Sequence, residues 1–246
     1  MALKDGLISY FSLEENAANT TITDKKAVTT GAASTNTSNL SIAGKIANAF
    51  DFDGATEYAT LTNNASINFG DVDFSISCWI KADSHEAYEG FLAKASDYAT
   101  QKIQYGFIFD GEADLNFVTG DQTDVNWCGN VAINNGTWYH IVGVYDAVNS
   151  KSHIYVNNNK TSNEALSLNV AANACDLYGG CFFNGSGLFD GIIDEVGIWN
   201  RALSDAEVSS LYNGGSGLSY ADINPTTKPI TPFISSAAVI CSGAVV

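Results

Sequence analysis

Carboxylates are the first groups in this chain that suggest chemistry. Asp194 and Glu195 stand side by side in GIIDEVGIWN, and Glu112 and Asp114 lie two apart in DGEADLNF. Glycoside hydrolysis needs two carboxyl groups facing one cleft, one as acid and the other as base or nucleophile. Side chains along a strand alternate between faces, so a period-two reading puts Ile192, Asp194, Val196 and Ile198 on one face. Ile193, Glu195, Gly197 and Trp199 then fall on the other, which splits the adjacent acids, and Glu112 with Asp114 falls in a turn. His85, His140 and His153 are scattered, and neither a G-x-S-x-G motif nor a Cys/His signature occurs. His140, inside an apolar strand, reads as a structural histidine. A non-enzymatic protein is expected. Asp194 keeps a different role, because a buried unpaired carboxylate costs on the order of several kcal/mol. It needs a cation or strong hydrogen bonds, which makes it a calcium ligand or the anchor of a polar network.

The elements that must position these groups are mostly strands. Short alternating runs recur between Gly, Asn, Asp and Ser, with little helical periodicity before residue 203. FSISCWIK (74–81) alternates Phe74, Ile76, Cys78 and Ile80 against Ser75, Ser77, Trp79 and Lys81, and YGFIFD (105–110) and ADLNFVTG (113–120) read as its neighbours. WYHIVGVYD (138–146) and KSHIYVNNNK (151–160) read as hairpin arms, with the run Asn157-Asn158-Asn159 supplying a turn because Asn tolerates positive φ. Strands at this spacing predict an all-β, two-sheet antiparallel sandwich. Trp79, Trp138 and Trp199 read as core. Trp127, in TDVNWCGN, has polar, turn-forming neighbours and reads either as an exposed aromatic or as core.

One short C-terminal helix is predicted after the last strand. Ser204 and Glu207 form a capping box, Leu203 and Val208 take the hydrophobic-staple positions, and Gly214 supplies the stop. Asp205 and Glu207 therefore serve the helix start. Pro225, Pro229 and Pro232 then mark a boundary, giving a main domain over 1–221 and a Pro-punctuated linker with an apolar tail over 222–246. Phe233, Ile234, Val239 and Ile240 in that tail need a partner surface, either the parent domain or a neighbouring subunit.

Composition limits the partners. The 246 residues include 27 acidic and 11 basic side chains, a formal net charge of −16, which repels nucleic acid and anionic membranes. No apolar run reaches the ~20 residues of a membrane span, and the first residues, MALKDGLISYFSLEEN, do not read as a secretory leader. The five cysteines lack C-x-x-C spacing, which argues against a zinc site. Cys175 and Cys181 in CDLYGGC are near enough in sequence to bridge a tight loop under oxidising conditions.

Several of these runs together resemble the laminin-G-like jelly rolls of the concanavalin A-like lectin and glucanase superfamily. GLISYFSLEEN is similar to that family's opening strand, ANAFDFDGATEYATL (47–61) to its FDG segment, DFSISCWIK to its central Trp strand and NNGTWYHIVGVYD to its W-x-H strand. LFDGIIDEVGIWNRALSDAEVSSLYNGG completes a likeness covering roughly residues 5–217, with Asn in place of the usual Asp-Gly turn in HIYVNNN. The resemblance implies a concanavalin A-like jelly roll. It also implies calcium near the FDG and IDEV segments, held by Asp53 and Asp194 with Asp24 as a third ligand. The alternative is that Asp53 closes a turn with Gly54 and Asp194 accepts backbone hydrogen bonds.

The resemblance further implies carbohydrate binding, for which Trp127, Asn126, Tyr88 and Tyr98 are the candidates, read as loop residues between strands. The expectation is a surface or assembly protein, of the virion decoration or fibre type, at a virion or extracellular surface. It would present a lectin-like domain to glycans and join a homo-oligomer or larger assembly of structural subunits through its tail. A calcium-dependent carbohydrate-binding module of a cell-surface or extracellular protein is the alternative, and a glycan-acting hydrolase a more distant one.

Overall fold

A computed structural model describes residues 2–97, 102–163 and 165–225. In chain order the elements begin β1 (Leu7–Phe11), β2 (Thr21–Thr23), β3 (Thr30–Ala33), α1 (Thr37–Leu40), β4 (Ser41–Ala43), β5 (Asn48–Asp53) and β6 (Ala59–Leu61). Then come β7 (Phe74–Ser84), β8 (Gly90–Asp97), β9 (Lys102–Phe109), β10 (Leu115–Gly120), β11 (Val125–Val131), β12 (Tyr139–Asp146), β13 (Lys151–Val156) and β14 (Asn159–Asn163). The chain continues through β15 (Leu177–Gly179), β16 (Cys181–Phe183), β17 (Ser186–Leu188), β18 (Asp190–Trp199), α2 (Asp205–Tyr212), a 3-10 turn (Asn213–Gly215) and α3 (Tyr220–Ile223).

The expected all-β sandwich is present. One sheet runs β14-β13-β12-β7-β18-β5-β4, with β1 also on β18; the other runs β11-β10-β9-β8-β15-β6-β3-β2; β16 and β17 form a separate hairpin. The alternation in FSISCWIK works as read: Phe74, Ile76, Cys78 and Ile80 join the core between the sheets with Phe91, Tyr105, Phe107 and Phe117 from the other sheet. Each such side chain contributes about 1.5–3 kcal/mol when fully buried. β9 and β10, expected beside β7, lie instead in the opposite sheet, because partner choice is a long-range property that local alternation does not encode. The Asn turn forms as expected, with Asn157 (φ 49°) and Asn158 (φ 67°) making the two-residue link between β13 and β14.

The outer face of the first sheet carries a second apolar layer. Tyr10, Val142, Val144, Tyr155 and Trp199 are covered by Leu203 just before α2, by Val208 and Leu211 of α2 and by Ile223 of α3. The predicted capping box is present, Ser204 accepting from the Glu207 amide and Glu207 from the Ser204 amide at 3.0 Å. Arg201 clamps the same Glu207 carboxylate at 2.7 and 2.9 Å. The stop is Asn213 (φ 47°) rather than Gly214.

A second capping box, Ser219 with Asp222, starts α3, so a single helix was too few, and the expected break at residue 222 falls inside an element whose Ile223 is buried. Trp138 is another correction: it precedes β12 and is only half-buried. Cys175 and Cys181 are free thiols, because β15 lies extended between them and holds them at its two ends. The tail residues Phe233, Ile234, Val239 and Ile240 and the candidate Tyr98 lie outside the described residues.

Candidate functional site

The acidic pair comes first, because the structure changes its geometry. β5 pairs with β18 over Asp190–Ile193 and β1 over Val196–Trp199, so Asp194 and Glu195 occupy the changeover between two partners on one edge. On the other edge Asp194 faces Trp79 and Gly197 faces Ser77, leaving one extra residue on β18. This is a β-bulge, with Glu195 at φ 53°. The bulge resets the alternation, so both carboxylates end on the outer face instead of on opposite faces.

There they are sealed. Asp194 Oδ2 accepts from the Ile46 amide at 2.9 Å, while Oδ1 has no hydrogen-bond partner among the described residues. Glu195 accepts from the Tyr10 hydroxyl. Burial pushes Asp194 up to about 7 against the opposing bonds from Ile46 and Lys45. Burial likewise pushes Glu195 up to about 8, with the Tyr10 bond opposing and Asp194 adding. His140 shares Ser77 Oγ at 2.9 Å, and burial lowers its pKa to about 3, so it is a neutral structural histidine. Glu195, His140, Trp79 and Tyr10 surround a closed space of about 10 Å³ beneath Leu211, Leu218 and Ile223. That volume holds about one water and no sugar ring.

The carboxylates expected to hold calcium do not come together. Asp24 is buried and accepts from Ser9 Oγ (2.7 Å) and from the amides of Tyr10 (2.9 Å), Lys26 (2.8 Å), Val28 (3.1 Å) and Thr29 (3.1 Å). Asp53 accepts from the amides of Ala55, Thr56 and Glu57 and from Thr56 Oγ1 at 2.7–2.9 Å. Burial acts to raise the Asp53 pKa, but these bonds outweigh it and hold it at about 2. Asp53 pairs with Asp190, four positions before Asp194 on β18, or about 13 Å at ordinary strand rise. Calcium takes six to eight oxygens, and these three side chains are separate, two of them already committed to protein donors. Asp53 instead borders an open acidic hollow with Asp51, Glu57, Asp83 and Asp190, where burial and the neighbouring Asp83 and Asp190 raise Asp51. Among the described residues no three His, Cys, Asp or Glu side chains are arranged to hold a metal.

The carbohydrate candidates separate in the same way. Asn126 is buried, its amide donating to Leu168 O at 2.9 Å and its oxygen accepting from Ser167, so it fastens the loop after β14 and is not a surface group. Tyr88 is 48% exposed at φ 68° in the turn before β8 and does not line the Trp127 cleft. Glu112 and Asp114 belong to a turn organised by Asp110, which accepts from both of their amides.

Trp127 does reach a cleft, but from a strand and not from a loop. It lies half-buried on β11, the edge strand of the second sheet, opposite Val118. At this edge β11 meets β13 and β14 of the first sheet. A cleft of about 460 Å³ there is lined by Trp127, Asn116, Cys128, Gly129, Asn130, Thr161, Ser162 and Asn163. A second bulge shapes it: Leu115 faces Val131 and Asn116 faces Gly129, so Asn130 is the extra residue, at φ 58°. Gly129 is required because a Cβ there would collide with Leu115 O. Asn130, Thr161 and Asn163 were missed from sequence; the Gly129-Asn130 pair inside a strand was the available signal for a bulge.

These two regions rest on a fold with known relatives. No curated protein sequence matches the chain. Among solved structures, the binding domain of Paraclostridial Mosquitocidal Protein 1 superposes with a TM-score of 0.66 at 16% identity, over 87% of this chain and 53% of that one. Domain 4 of AbnA, an extracellular GH43 arabinanase from Geobacillus stearothermophilus, in complex with arabinotriose, gives 0.65 at 17% identity, over 83% of this chain and 97% of that one. Trypanosoma rangeli sialidase gives 0.61 at 13% identity, over 87% of this chain and 34% of that one. The chain thus spans about half of the toxin domain's length and a third of the sialidase's. The strands from β6 to β18, the IDEV strand among them, fall within residues 53–209, which match the model of one sequence family. On that match, covering well over half of its length, the chain belongs to the concanavalin A-like lectin/glucanases superfamily.

Proposed function

We propose that this domain is a non-catalytic glycan-adhesion module, presented at a surface by an assembly such as a virion decoration or fibre. The observation that carries the reading is the Trp127 cleft, in which one accessible aromatic is surrounded by amides and hydroxyls. An aromatic face packs against the apolar side of a sugar ring while neutral polar groups meet its hydroxyls. The arabinanase domain of the same architecture, solved with arabinotriose, supports a sugar as ligand. Against catalysis stands the burial of the two shifted carboxylates, Asp194 under the Ile46 loop and Glu195 beside a space of about 10 Å³ under the helical cap. The surface-assembly part of the reading rests on the apolar sequence FISSAAVICSGAVV at 233–246.

The test is a glycan array read with the whole chain and with Trp127→Ala. Binding by the parent protein and its loss in a folded variant are the expected results. No ligand for the parent chain would remove the adhesion reading. For the assembly part, a chain cut after Pro225 should sediment as a smaller species than the full chain, and an unchanged sedimentation coefficient per monomer mass would contradict it.

A further inference from the structure

The lining of the Trp127 cleft carries more information than the presence of an aromatic. Its polar side chains are Asn116, Asn130, Thr161, Ser162 and Asn163, and none of them bears a charge. Three are already engaged. Asn116 donates to Asp110 and to Asp114 O at 3.0 and 3.1 Å while accepting from the Asn130 amide at 3.0 Å. Asn163 donates to Trp127 O at 3.2 Å, and Ser162 Oγ meets His153 Nδ1 at 2.7 Å. These hold the walls. Asn130, carried outward by its bulge, and Thr161 on the exposed edge of β14 are the solvent-facing groups at the rim.

Two titratable side chains bond to this lining, the Asp110 carboxylate and the His153 imidazole. Asp110 stands directly behind Asn116, and the chain as a whole carries −16. Lys160, next to Thr161 in sequence, turns to the other side of β14, where it pairs with Asp205 at 3.0 Å. Arg201, on that same side, is committed to Glu207 at 2.7 Å. No described residue lining the cleft is a cation, so a carboxylate entering it would give up water without gaining a charged partner. Uncharged hydroxyls face no such penalty. The volume, about 460 Å³, lies toward the lower end of the roughly 300–1,000 Å³ range of small-ligand sites, which suits a short segment of sugar rings.

We infer that the Trp127 cleft selects short neutral oligosaccharides and discriminates against sialylated or uronate-bearing ones. The inference rests on the glycan-adhesion reading of the same cleft and narrows it to one ligand class.

Titration calorimetry with matched probes tests it. Arabinotriose, cellotriose and N-acetyllactosamine serve as neutral ligands; trigalacturonate and sialyl-N-acetyllactosamine are the anionic ones. At least one neutral probe should bind at least tenfold more tightly than either anionic probe, with little dependence on salt between 50 and 300 mM. Trp127→Ala should weaken that binding at least tenfold, and Thr161→Lys should narrow the gap between the two classes. Anionic probes binding as well as or better than neutral ones, in a Trp127-dependent way, would overturn the selectivity and leave glycan adhesion standing. Binding that survives Trp127→Ala would remove the cleft as the site. If neither these probes nor a broad glycan array gave a ligand, the adhesion reading itself would fall, and this inference with it.

Discussion

Two tryptophans sit on strand faces of opposite sheets, and their surroundings differ in every respect that matters for function. Trp79 is 3% exposed, stacked with Tyr212 at 6.0 Å and tilted against His140 at 5.0 Å, and has the Lys45 ammonium over its ring at 4.5 Å. Gly217 (φ 76°) closes over it, where a Cβ would come within 3.0 Å of the indole nitrogen. The reactive-looking residues, Asp194, Glu195 and His140, gather around this ring and are shut in with it. Trp127 is half-buried against the apolar layer that includes Val118 and opens on a cleft whose described lining is neutral. Titratable side chains are buried in the first setting, and the lining of the second is neutral.

Mutation should pull the two indoles apart. Trp79→Ala removes a buried ring that joins the sheet to its cap and should destabilise the protein by about 3–5 kcal/mol, the usual cost of deleting a core aromatic, measured by urea unfolding. Trp127→Ala should cost less than half as much while abolishing glycan binding. Equal losses of stability would show that Trp127 is a core residue and would remove the contrast.

The buried acids give the next largest effect. Both have pKa values raised above their unfolded values, so between about pH 4 and pH 8 the folded state binds more protons than the unfolded state. Their contribution is therefore fully present at low pH and is lost as pH rises through about 7 to 8. Thermal melts should show stability falling across this window by an amount on the order of a few kcal/mol. Asp194→Asn with Glu195→Gln should flatten that fall and make the variant the more stable protein at pH 8.5. A parent chain whose melting temperature rises from pH 6 to pH 8.5 would contradict the sealed-pair geometry.

Much of the first region was legible in the sequence, and little of the second. Phe74, Ile76, Cys78 and Ile80 alternate because one face of β7 is core, and Ser204 and Glu207 cap α2 because the bonds they make are local. Both can be read from neighbours in the chain. Glu195 breaks the alternation because β18 exchanges one partner strand for another there, which no local pattern announces. Asn126 looked like a surface amide and is a clamp, because a loop some forty residues later folds back onto it. Asn130, Thr161 and Asn163 come from two sheets and meet only where the edges of the sandwich close.

The smallest expected effect concerns calcium. Four donors on Asp53 and five on Asp24 already engage the carboxylates that a cation would need. Asp53→Ala should cost about 1 kcal/mol through the loss of its turn bonds, and by the same amount with calcium or with chelator present. The measurement is decisive because a real site would be easy to see. A ligand at a hundredfold excess over its Kd stabilises by about 2.7 kcal/mol, roughly 5–10 °C for a domain of this size at about 2–4 °C per kcal/mol. A shift under about 1 °C between 1 mM calcium and excess chelator is the expected result. A rise of several degrees that disappears in Asp53→Ala would show that the FDG turn opens to take the ion and that its hydrogen bonds are the metal-free arrangement of a binding loop.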